Sequence, residues 1–184
     1  MKKISYGLIF FAALFSSCAL NHSLPYFDFS SFNVFMPVSF HAQKDDTTCG
    51  LAAIEMIADY YGKTLDARFS GLLLKEAKLT KGIQAASLKA CLEASGFDVA
   101  VFPGTLDRET PGIFRHLDLK RPLIVLISEK SKENGHYLVA NGYKGAGLLA
   151  LINPDKGQSQ AGIPWFLPLW KNSGALTLLA LPRQ

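Results

Sequence analysis

The chain has 184 residues, 49% of them apolar, and a net charge of +4. This is enough for one domain with a real core after loss of a short leader. The charges are scattered, and no run of Lys and Arg is long enough to serve as a nucleic-acid footprint, so no nucleic-acid partner is expected.

Lys2 and Lys3 form a charged start, and Ile4 to Phe15 is a nearly unbroken apolar run, too short for a comfortable membrane span. Ser16-Ser17-Cys18 follows it. The order of charge, apolar run, small residue and Cys resembles a bacterial lipoprotein cleavage box, with Phe15 where Leu is usual. It predicts a signal peptide over 1–18, cut before a lipidated Cys18; ordinary cleavage near Ala19 is the alternative. Ala19 after that Cys resembles the enteric outer-membrane pattern. The chain is therefore expected to be exported and lipid-anchored in the bacterial envelope, facing the periplasm. Residues 19–36, rich in Ser, Asn and Phe, read as a tether, and Met36 to Phe40 as a short edge strand.

Residues 37–184 read as one domain. Leu51, Ile54, Ile57, Ala58 and Tyr61 recur at helical spacing, which predicts a helix over 49–61 with Gly62 as its stop. Asp45 to Thr48 supply candidate caps. Further helices are predicted over about 66–78, 84–95 and 111–117. Strands are predicted over 97–102, 122–128, 137–143, 148–152 and 175–181, with one helical turn near Trp165 to Trp170. Helices first and mostly antiparallel strands later give an α+β class.

Chemistry concentrates at four places. Cys49 opens the first helix, where partial positive charge and free N–H groups favour an anion such as a thiolate. Gln43, six residues earlier, is a candidate oxyanion donor alongside the Cys49 backbone N–H. His136, at the start of the run HYLVA, is the candidate base on a rigid strand mount. Asn153 ends the next apolar run. A hairpin through Tyr143 to Gly147 would bring it beside His136 to fix the tautomer, with Asp155 as the competing orienting residue. Three of them have a bland alternative: a small buried Cys, a loop Gln, an Asn-Pro-Asp turn. Cys91 reads as a core residue. No CxxC, HxxxH or HExxH is present, so neither a metal nor another cofactor is expected.

In order and spacing these residues resemble the bacteriocin-processing peptidases, the papain-like domains that remove double-glycine leaders. The resemblance rests on Gln43, Cys49-Gly50, Tyr60-Tyr61-Gly62, Gly82-Ile83, Gly135-His136-Tyr137, Asn153-Pro154 and Gly157, and spans about 37–181. It implies a papain-like fold and a cysteine peptidase acting on a peptide or protein substrate, which it would mature or degrade, with exporter or surface-assembly partners. The family usually carries Asp-Pro where this chain has Asn153-Pro154, and Gly-Pro where it has Gly50-Leu51. Papain-type enzymes use Asn in the orienting role. The alternatives are a papain-like acyl or peptidyl transferase, and a non-catalytic peptide-binding lipoprotein.

Overall fold

The computed structural model describes residues 28–129 and 135–184. The leader, Cys18 and the first part of the expected tether lie outside the described residues.

The first helix, α1 (Cys49–Tyr60), is apolar almost all round, and nine of its residues are buried. That pattern marks a helix enclosed by protein on most sides, not one lying on a surface. α2 (Ala67–Thr80) starts where the Asp66 carboxylate accepts the Phe69 N–H at 3.0 Å, and it buries Leu73 and Ala77. α3 (Ala85–Ala94) buries Leu88, Cys91 and Leu92. Two short elements follow, strand β2 (Phe97–Pro103) and helix α4 (Ile113–Asp118).

The second half is mostly sheet. It contains β3 (Leu123–Ile127), β4 (His136–Lys144), β5 (Leu148–Asn153), β6 (Gly157–Gly162) and β7 (Leu176–Pro182), with α5 (Ile163–Asn172) between the last two. The strand order is β2-β7-β3-β4-β5-β6, and every neighbouring pair is antiparallel. A short strand β1 (Val34–Phe35) pairs with the end of β4. α1 packs on β4, and α3 on β2 and β7. The result is the expected α+β class, a helical half against a mostly antiparallel sheet.

Three elements differ from expectation. The edge strand expected over Met36 to Phe40 is not formed; the pairing residues are Val34 and Phe35. Gly142 explains the register, because a Cβ there would lie 2.3 Å from the Val34 carbonyl oxygen. Only a residue without one lets β1 approach β4 so closely. The Asn141 amide then donates to the Met36 carbonyl at 2.9 Å. Val34 and Met36 are buried, so the folded body begins before the expected boundary at residue 37.

β6 is a strand that the sequence analysis does not predict. Its sequence, GQSQAG, lacks the branched and aromatic residues that favour strands. It is made a strand by pairing, from Leu148 opposite Gly162 to Asn153 opposite Gly157. α5 runs ten residues where one turn was expected. Pro164 sits in its first turn, where no N–H is needed, and Phe166 and Trp170 bury its inner face despite Pro168.

Candidate active site

Cys49 is the first residue of α1 and is 6% exposed. Thr48 occupies the N-cap position, but its side chain makes no cap hydrogen bond, contrary to the capping role expected of residues 45–48. The Thr48 hydroxyl instead accepts the Lys44 and Asp45 backbone N–H groups at 3.0 and 3.1 Å, and donates to the Asp45 carbonyl. Asp45 in turn accepts the Thr47 N–H and hydroxyl. These bonds shape the loop before Cys49. They also leave the first-turn N–H groups of α1 unclaimed by a capping side chain or a first-turn carboxylate.

His136 opens β4 and Asn153 closes β5, and the hairpin between them brings the two together. The His136 Nε2 lies 2.8 Å from Asn153 Oδ1. That oxygen also accepts the Asp155 backbone N–H at 2.9 Å. The second contact fixes the amide's orientation, because an N–H can meet only its oxygen end. The oxygen cannot donate, so Nε2 carries the proton facing it. Nδ1 is left with a lone pair for the thiol.

Cys49 also acts on the His136 ring. Burial alone would lower the imidazole pKa. The interactions with Cys49 and Asn153, and then the charges of Cys49 and Asp155, outweigh it and hold the ring above its ordinary value. Asp155 therefore acts on the ring through charge, and the neighbour hydrogen-bonded to it is Asn153.

Gln43 approaches from the loop ahead of Cys49. Its backbone N–H donates to the Pro154 carbonyl at 2.9 Å, which ties that loop to the turn carrying Asn153. Its side-chain Oε1 is buried and meets no partner among the described residues. Oε1 is an acceptor, so the donor role expected of this side chain falls to the Nε2 end of the amide.

A cleft of about 220 Å³ opens beside the thiol. The segment joining α2 to α3, from Thr80 to Gln84, forms one side, and Leu126, Gly135 and Tyr137 of the sheet half form the other. Tyr137 shapes the site; in the sequence it is part of the Gly135-His136-Tyr137 resemblance, with no role assigned to it.

The remaining candidates lie elsewhere. Cys91 is fully buried near the Ser70 hydroxyl, and burial pushes its thiol pKa up. Cys49 and Cys91 are both free thiols. His41 faces Asp59 at 3.6 Å on the outer side of α1. His116 is buried in α4. Among the described residues, no cluster of three His, Cys, Asp or Glu side chains could hold a metal ion, and no helix is long and apolar enough to cross a membrane.

Comparison with known proteins bears on the fold and the family. Residues 38–180 match the model of the Peptidase C39 family. No curated protein matches the sequence. Among solved structures, the chain is similar to the peptidase domain of Streptococcus ComA, a bi-functional ABC transporter involved in a quorum sensing pathway. The identity is 22%, the match covers 79% of this chain and 99% of that one, and the TM-score is 0.64. It is also similar to a double glycine motif protease from an AMS/PCAT transporter in complex with the leader peptide, at 17% identity, 82% and 95% coverage and a TM-score of 0.59. A third likeness is to the peptidase domain of Streptococcus mutans ComA, at 20% identity, 78% and 98% coverage and a TM-score of 0.53. At these identities the structures speak for the fold, while the family match covers most of the sequence. The chain belongs to the Peptidase C39 family and is a papain-like cysteine peptidase.

Proposed function

We propose that Cys49 is the nucleophile, His136 its base, Asn153 the group that orients the base, and Gln43 with the Cys49 N–H the oxyanion donors. The observation that carries this assignment is the Asn153 bridge between His136 Nε2 and the Asp155 N–H, which leaves Nδ1 as the acceptor for the thiol proton. Transfer of that proton to Nδ1 gives a thiolate and an imidazolium. The thiolate attacks the peptide carbonyl carbon, and the resulting oxyanion is met by N–H donors. The C–N bond breaks, the amine leaves with the imidazolium proton, and a thioester remains. His136 then takes a proton from water, the hydroxide attacks the thioester, and the carboxylic acid leaves as the thiol is restored.

The substrate class proposed is a peptide cut after a Gly-Gly pair. It is suggested by the resemblance to leader-removing peptidases and by the double glycine motif protease among the similar structures. Export, with lipid on Cys18, is proposed from the leader sequence alone. Delivery of the peptide by an exporter is proposed because similar peptidase domains come from transporters.

The test is cleavage of a Gly-Gly leader peptide by the wild type, Cys49→Ala and His136→Ala. Each variant is expected to lose about a thousandfold or more in kcat/KM while remaining folded, because the two residues act as a unit. In parallel, iodoacetamide labelling of the native protein at mildly acidic pH should modify Cys49 well before Cys91. Equal labelling rates would remove Cys49 from the nucleophile role.

A further inference from the structure

Tyr137 follows His136 on β4 and points into the other half of the molecule. Its ring lies against Gly50, the residue after Cys49: a Cβ on Gly50 would stand 3.0 Å from Tyr137 Cδ2 and 3.2 Å from Cε2. Its hydroxyl donates to the Ile83 carbonyl at 3.1 Å in a buried bond. Ile83 belongs to the Thr80 to Gln84 wall of the cleft. That wall has other supports, all internal to the helical half. The Thr80 hydroxyl donates to the Gly82 and Glu76 carbonyls, and Glu76 Oε1 accepts the Gln84 N–H. Among the described residues, the Tyr137 bond is the one hydrogen bond that ties this wall to the strand bearing His136.

We propose that the Tyr137 hydroxyl is a positioning group for substrate: it fixes the Thr80 to Gln84 wall against the sheet and so sets the width of the peptide-binding cleft. It rests on the peptidase reading of the same site. The hydroxyl takes no part in proton transfer. Burial, then the charges of Cys49 and Glu76, hold its proton on more firmly than usual, which keeps it a donor. Its loss leaves the Ile83 carbonyl buried without a partner and the wall free to shift. The ring, and with it the packing on Gly50, stays in place. The cost therefore falls on binding and not on the chemical step.

The experiment compares full-length wild type, Tyr137→Phe and Tyr143→Phe. Tyr143 supplies a control, because its hydroxyl bonds Arg108 and Asp118 outside the cleft, so its loss tests a missing part-buried hydrogen bond without touching the wall. The probe is an internally quenched peptide with Gly-Gly before the scissile bond. Tyr137→Phe should raise KM about fivefold, the size of one neutral hydrogen bond, with kcat within about twofold. Iodoacetamide labelling of Cys49 should be unchanged. Amide exchange should quicken over residues 80–84 and not along β4. Tyr143→Phe should shift neither KM nor that exchange. An unchanged KM with unchanged exchange, or a fall in kcat at constant KM, would overturn the proposal. If the wild type does not cut the probe, the Gly-Gly reading fails, and the exchange arm still decides whether the hydroxyl holds the wall.

Discussion

At the scale of single residues, Asn153 carries more than an orienting contact. Its amide oxygen is shared between the His136 ring and the Asp155 N–H, so the turn that positions it also fixes which way it faces. A bare side-chain amide would be free to flip. Asn153→Ala is expected to cost more kcat/KM than Asp155→Ala, because the Asp155 change keeps the backbone N–H and removes only a charge. The pH profile gives a second readout. The interaction with Asn153 helps hold the His136 pKa up, and the attacking form needs the imidazolium proton. The alkaline limb of kcat/KM should therefore move to lower pH in Asn153→Ala. A limb that stays in place would mean that Asn153 does not set the ring's protonation. The proposed site residues Cys49, His136, Asn153 and Gln43 are singled out from order and spacing, because each residue type suits its proposed chemistry and the family pattern repeats it. The contacts that Thr48 and Tyr137 make cannot be. Both act through contacts with backbone carbonyls or N–H groups, and backbone groups leave no mark on composition.

At the scale of elements, periodicity revealed the structure wherever an element buries its own apolar face. α1, α3 and β3 to β5 are of this kind. β6 and β1 are not. Gln158 joins the buried Asn141 amide in a reciprocal pair, at 2.9 and 3.2 Å, and Ser159 donates to the Leu151 carbonyl. The polar residues of β6 are thus satisfied by distant partners that no local pattern predicts. β1 is a strand because Gly142 leaves space for it. Gly142→Ala should displace β1 and cost roughly 1–3 kcal/mol, the usual range for overpacking. Urea denaturation measures this, and faster amide exchange at Phe35 and Met36 locates it.

α4 holds a different liability. His116 is buried with Nδ1 unpartnered, and burial, then Arg121 and Arg115, lower its pKa. Phe102 is the aromatic neighbour against it, 5.9 Å between ring centroids. The stability that comes from keeping this ring neutral is present above the unfolded histidine pKa and is lost as pH falls through the depressed folded one. His116→Phe should therefore flatten the fall in melting temperature on acidification below about pH 6.5. A variant that loses stability in parallel with the wild type would exclude His116 as the cause.

At the scale of the whole molecule, the proposed catalytic pair spans the two halves of the fold. Cys49 comes from the helical half, while His136 and Asn153 come from the sheet. The α+β order was readable because helices precede strands in the chain, and the hairpin between His136 and Asn153 was readable from two apolar runs and a Gly-rich turn. Which segments wall the cleft was not readable, since that depends on how the halves dock. The leader poses a separate question. If Cys18 carries lipid, wild-type protein should fractionate with membranes and Cys18→Ser should not. A soluble wild type would favour cleavage near Ala19 and leave the peptidase reading untouched.

The place where β1 joins the sheet has a mechanical consequence. Val34 pairs with Tyr143, seven residues along β4 from His136, roughly 24 Å at ~3.4 Å per residue. The chain then runs from Met36 back to Gln43, whose N–H is held by Pro154. A pull or swing of whatever precedes Val34 is thus taken up by a hydrogen-bonded clamp at the far end of the strand, before it can reach the loop that carries Gln43 and Cys49. The proposed catalytic residues are thereby isolated from strain that arrives along the preceding chain. Lengthening or shortening the segment before residue 28 should leave kcat unaltered in a peptide-cleavage assay.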